Sequence, residues 1–116
     1  MDESILTSVK KALGPEEDYE HFDPEIIMYV NSVLATLTEL GVGPVEGFMI
    51  QDKGAKWNDF IGDDKLLNLV PTYVYLKVKL IFDPPTAGAV LEAMERQASQ
   101  YEWRINVTAE RIKSKN

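Results

Sequence analysis

Residues 66–85, LLNLVPTYVYLKVKLIFDPP, are the most apolar twenty-residue stretch of the chain and limit its fold more than any other. Two periodicities run through them. Val74, Leu76, Val78, Leu80 and Phe82 alternate with Tyr73, Tyr75, Lys77 and Lys79, as in a strand buried on one face. Leu67, Val70, Val74, Val78 and Ile81 recur at spacings of three and four, as on the buried stripe of a helix. The β-branched and aromatic content leans toward strand, but only weakly. The rest of the chain has to decide between them.

The flanking segments read as helices. Residues 3–13 place Ile5, Leu6, Val9, Ala12 and Leu13 on one face, with Asp2 and Glu3 at the positive end and Lys10 and Lys11 at the negative end. Gly14-Pro15 terminates this helix, and residues 15–22 form an acidic loop. Asp23-Pro24 then supplies an N-cap and a first-position proline. From there Ile26, Ile27, Val30, Val33, Leu34, Leu37 and Leu40 keep helical spacing until Gly41. Residues 41–56, GVGPVEGFMIQDKGAK, lack either periodicity, although Phe48 and Ile50 suggest a short extended piece. So long a connection in a small domain points to a functional or mobile segment. Trp57, Phe60 and Ile61 predict one helical turn before Gly62. After Asp83-Pro84-Pro85, Thr86 caps a last helix in which Ala87, Val90 or Leu91, Met94, Ala98, Tyr101 and Ile105 share a side. Glu92 and Arg96 form an i, i+4 pair on its outer face, and the final RIKSKN is polar, basic and frayed.

These neighbours settle the central stretch. A lone strand needs a pairing partner, and only residues 45–50 offer one. Three amphipathic helices, in contrast, each need an apolar surface, and a central helix provides it. Pro71 objects, since a proline inside a helix costs about 3 kcal/mol. The objection lapses if Asn68 caps the helix and Pro71 lies in its first turn, where the N–H would have no partner. The expected fold is all-α: a small bundle of four to five helices with a long 41–56 loop. One domain spans 1–108, and 109–116 form a polar tail.

Composition narrows the function. Apolar residues at 45% and charged residues at 27% of 116 are ordinary for a globular chain. Lys77 and Lys79 interrupt the single membrane-span candidate, and the N-terminus lacks the pattern of a signal peptide. Without cysteine there is no disulfide, thiolate nucleophile or zinc-thiolate site. A formal charge of −7, with Lys and Arg scattered, argues against binding by phosphate neutralisation. It remains compatible with a wall along a DNA path, where repulsion prevents adhesion.

Motifs that could carry chemistry have plainer readings. Glu16-Glu17-x-x-Glu20 and Glu92-x-x-Glu95 resemble the paired acidic motifs of all-helical, magnesium-dependent nucleotide pyrophosphohydrolases. The first group sits in a predicted loop and the second lacks the closing aspartate, so a solvated loop and a solvated helix face explain them better. His21, the single histidine, has no nucleophile beside it. Gly41-x-Gly43 and Gly47 follow a helix rather than a strand, unlike a dinucleotide fingerprint. Trp57 and Trp103 read as core or interface anchors rather than base-stacking platforms. No constellation supports catalysis, and no cofactor or metal is expected.

Four pieces of the chain resemble the short head-tail connector (adaptor) proteins of tailed bacteriophages and Gram-positive prophages. They are SILTSVKKALG, FDPEIIMYVNSVLATLTELGVGP, WNDFI, and TYVYLKVKLIFDPP joined to MERQASQYEWRINV, running from Ser4 to Val107. LGVGP, KVKLIFDPP and EWRIN are the most specific; Pro71 and the basic tail after Glu110 depart from the pattern. The resemblance implies an all-α, non-enzymatic virion protein at the head-tail interface, assembled in the host cytoplasm. It further implies a homo-oligomeric ring beneath the portal protein that extends the DNA channel without specific DNA binding. The ring would also meet a tail-side head-completion protein. On that basis the candidate subunit and portal interface comprises Val42, Phe48, Met49, Ile50 and Trp57 in and beside the 41–56 loop. Tyr101, Trp103, Arg104 and Ile105 complete it at the portal-facing C-terminal end. An acidic DNA-mimic regulator is the alternative; it requires carboxylates aligned along one exposed face, whereas here they are spread over loops and helix ends.

Overall fold

The computed structural model describes residues 3–14, 19–62 and 64–114. Five α-helices follow in order: α1 (Ile5–Leu13), α2 (Asp23–Glu39), α3 (Trp57–Ile61), α4 (Val70–Phe82) and α5 (Gly88–Ser114), with a 3-10 turn at Lys65–Leu67 before α4. The helical reading of the central stretch holds. Helix α4 packs against α1, α2 and α5, and it buries Val70, Tyr73, Val74, Leu76 and Val78. Each such side chain contributes about 1.5–3 kcal/mol of burial free energy, which makes α4 the hub on which the other helices close.

The start of α4 differs from expectation. Asn68 does not cap it; Asn68 closes the preceding 3-10 turn, whose own cap is the Asp64 carboxylate accepting from Leu66 N–H at 2.9 Å. Helix α4 begins directly behind that turn, with Leu69 at the cap position and its carbonyl accepting from Tyr73 N–H at 2.9 Å. Pro71 still lies in the first turn, where its missing N–H removes no intrahelical bond. The entry to α2 is also displaced by one residue. Asp23 is the first helical residue behind Phe22, and its carboxylate pairs with the buried Lys10 ammonium of α1 at 2.9 Å.

The remaining helix ends follow the chemistry of their residues. Ser4 Oγ accepts from Thr7 N–H at the start of α1, and Gly14 closes that helix in the left-handed region at φ 109°. Helix α2 ends in a Schellman motif, in which Val42 N–H donates to Leu37 O at 2.9 Å and Gly41 N–H to Thr38 O at 3.0 Å. Gly41, at φ 94°, makes the reversal possible, and Val42 and Leu37 are both buried beneath it. The acidic 15–18 portion of the loop after α1 and Asp63 lie outside the described residues.

Helix α5 runs 27 residues, about 40 Å at 1.5 Å per residue, close to the longest dimension of the molecule, 42 Å. Its first turns project beyond the body, with only Leu91 and Met94 half-buried before Ala98. It then settles onto the core through Ala98, Ile105 and Ala109. The polar segment expected from residue 109 is therefore helical as far as Ser114, with Ile112 resting on the core.

Candidate functional site

Candidate residues line two surfaces that share no residue. The first is a groove of about 670 Å³ between the outer face of α2 and the 41–56 loop. Asn31, Ala35 and Thr38 form its helical wall; Phe48 and Met49 form the loop wall, with Glu46 also lining it. The loop is not a strand, but one side chain treats it as one. Asn31 Nδ2 donates to Ile50 O at 3.0 Å, and Ile50 N–H donates to Asn31 Oδ1 at 2.8 Å. The amide thus offers Ile50 the pair of bonds that a neighbouring strand would have supplied. Further on, Ile5 N–H donates to Ala55 O at 2.9 Å and Trp57 N–H to Glu3 O at 3.1 Å, an isolated bridge that ties the loop's end to the N-terminus of α1.

The loop's near end is fixed by close packing. Gly43 has φ 80°, and a β-carbon there would overlap the Phe60 ring of α3. Phe48 meets the same ring at a centroid distance of 5.2 Å. The long connection is therefore a braced wall, held at Leu37, Asn31, Phe60 and Ile5. Met49 stands 73% exposed on that wall, and Val45 93%.

The second surface is the outer face of α5. Trp103 is 68% exposed there, beside Ser99, Gln100 and Arg104 in a shallow depression. The Arg104 guanidinium lies 5.8 Å from the Tyr101 ring centroid, a stacked position that steadies it. Beneath this face Tyr73 Oη donates to Glu102 Oε1 at 2.5 Å, bonding α4 to α5. Burial first, and then the Glu102 carboxylate, push the Tyr73 hydroxyl well above the usual phenol range.

The nine candidate interface residues thus divide. Val42, Ile50, Trp57 and Ile105 are buried in the hydrophobic core. Their side chains hold the surfaces up and do not reach a partner in this conformation. Trp57 in particular donates from Nε1 to Ser8 Oγ at 2.9 Å, locking α3 to α1. Met49, Trp103 and Arg104 are exposed, while Phe48 and Tyr101 are half-buried at the edges of the two surfaces. Sequence reasoning missed Asn31, an unremarkable polar residue on a helix; a polar residue one turn from an apolar stripe was the one available hint. It also missed the Tyr73–Glu102 and Lys10–Asp23 links, which carry no local signature.

The acidic motifs do not converge. Glu92 and Glu95 are exposed on α5, Glu16 and Glu17 lie outside the described residues, and no group of three metal-ligating side chains is gathered among the described residues. His21 is exposed in an aromatic cluster, edge-on to Phe22 at 4.9 Å. Among the described residues no helix is long and apolar enough to cross a membrane.

No curated protein and no solved structure gives a significant match to the chain. A family model described as phage connector protein matches residues 5–112, from the first residue of α1 into the last turns of α5. With α1 to α4 and all but the last two residues of α5 inside that match, the chain belongs to the phage connector protein family, a family of bacteriophage structural proteins.

Proposed function

We propose that this connector assembles as a ring beneath the portal protein, extends the DNA channel through the head vertex and presents a surface to a tail-side head-completion protein. The observation that carries the reading is the family match over residues 5–112. Large apolar side chains exposed on two separate segments, Met49 with Val45 on the 41–56 loop and Trp103 on α5, support it. Separate surfaces of this kind suit a subunit with two lateral neighbours, since a heterologous contact that closes generates a cyclic assembly. In this reading the 41–56 wall serves a lateral or lumen-facing contact, and the C-terminal end of α5 docks the portal. The chain's charge of −7 lets DNA slide past the lumen without adhering.

Mixing the protein with its cognate portal and imaging the product by cryo-electron microscopy tests this directly. Added density forming a ring under the portal is the expected result. Portals that keep their original outline at saturating connector concentration would refute it.

A further inference from the structure

The chain carries three arginines, Arg96, Arg104 and Arg111. All three are exposed on α5, and none is ion-paired among the described residues; the expected Glu92–Arg96 pair is not formed. At 100° per residue they fall within about 80° of one another, on the side of the helix opposite the buried Ala98, Ile105 and Ala109. Trp103 stands at the edge of this arc, 68% exposed. A protein of net charge −7 thus carries every guanidinium on the face of α5 that bears its exposed tryptophan, together with Glu92 and Glu110. Arginine and tryptophan are the residues most enriched among energetic anchors of interfaces.

The complementary surface is on the same chain. The groove between α2 and the 41–56 loop is apolar at Ala35, Phe48 and Met49, and Glu46 supplies a carboxylate in its lining. The two surfaces do not meet within one molecule: neither Trp103 nor Arg104 is among the residues that line the groove.

We infer that the lateral contact of the assembly is made by a second copy of this chain, with Trp103 of one subunit seated in the Phe48–Met49 groove of the next and Arg104 facing Glu46. The inference rests on the ring reading and names the surfaces that would build it. Charge complementarity supports this occupant: Arg104 lies beside Trp103 in a depression with no carboxylate in its lining, and Glu46 lines the groove, so seating Trp103 brings opposite charges together. Trp103 lies eleven residues before Ser114, about 16 Å along the helix, so the last turns of α5 stay available for the portal.

The cysteine-free sequence permits a direct test. Single-cysteine variants Trp103→Cys and Met49→Cys are mixed in equal amounts with the portal and mildly oxidised. The mixed 103–49 pair should exceed either self-pair by about tenfold. In parallel, Arg104→Glu and Glu46→Arg should each raise the concentration for half-assembly about tenfold, and the double exchange should restore it to within about threefold. Circular dichroism verifies that each variant folds. Dominant 103–103 pairing, or folded charge variants that assemble like the wild type, would overturn the inference while leaving the ring intact. A response of Trp103 emission to duplex DNA at physiological salt, without assembly, would assign the arc to phosphate and also overturn it. A wild-type protein that forms no ring on the portal removes the proposed function, and this contact with it.

Discussion

Replacing Asn31 with alanine should open the wall that forms the groove. The wild-type amide makes two bonds to the Ile50 backbone, at 3.0 and 2.8 Å, and Ile50 is 2% exposed. Truncation leaves one peptide N–H and one C=O without partners in a site closed to bulk water. An unsatisfied buried group costs about 1–3 kcal/mol, so two suggest about 2–6 kcal/mol. The adjoining groove admits water once the amide is gone, which places the expected loss near the low end, at about 2–3 kcal/mol. For a domain of this size that corresponds to a fall in Tm of about 10 °C. Urea denaturation measures the global loss from the midpoint at constant slope, and amide hydrogen exchange at Ile50 measures the local one. Asn31→Asp separates the two bonds: it keeps the acceptor for Ile50 N–H but turns a carboxylate oxygen toward Ile50 O, so it should be no milder than alanine. Stability within 0.5 kcal/mol of wild type, together with unchanged protection at Ile50, would refute the claim that this amide braces the loop.

Gly43→Ala should destabilise by about 2–3 kcal/mol, from the left-handed backbone and the overlap with Phe60 together; thermal unfolding would show it, and a neutral result would mean that α3 shifts freely. Lys10→Met strands the Asp23 carboxylate, whose side chain is 21% exposed, and should cost about 2–3 kcal/mol. The Lys10→Met, Asp23→Leu pair should recover part of that, because it leaves no stranded carboxylate at position 23; a double variant as weak as the single would count against this. Tyr73→Phe should cost about 1–2 kcal/mol at neutral pH through the lost bond to Glu102. Its pH dependence is the sharper check. The folded state raises the Tyr73 hydroxyl above its ordinary value, so its contribution is complete below about pH 10 and falls above it by about 1.4 kcal/mol per pH unit. The difference between wild type and Tyr73→Phe should shrink from pH 10 to 11 in urea titrations, and a constant difference would refute it.

What could be read from the chain was whatever neighbours in sequence decide. The apolar stripe of α2 and its Leu40-Gly41 stop needed only residues within a turn of one another, since capping and helical periodicity are local. The helical state of residues 70–82 followed from a shortage of strand partners and three helices in want of a surface. Tertiary structure decided the rest. Trp57 and Trp103 are the same residue type beside similar neighbours, yet one is 2% and the other 68% exposed. The difference depends on α1 lying across α3 and on nothing lying across the outer face of α5. Asn68 has the chemistry of a cap, but the 3-10 turn from Asp64 passed the helix start to Leu69. Asn31 and Ile50 are 19 positions apart, and their bond exists only because α2 and the loop are held side by side by the core. Period and capping depend on contacts a few residues apart, whereas the interaction surfaces depend on which distant segments the packed helices leave uncovered.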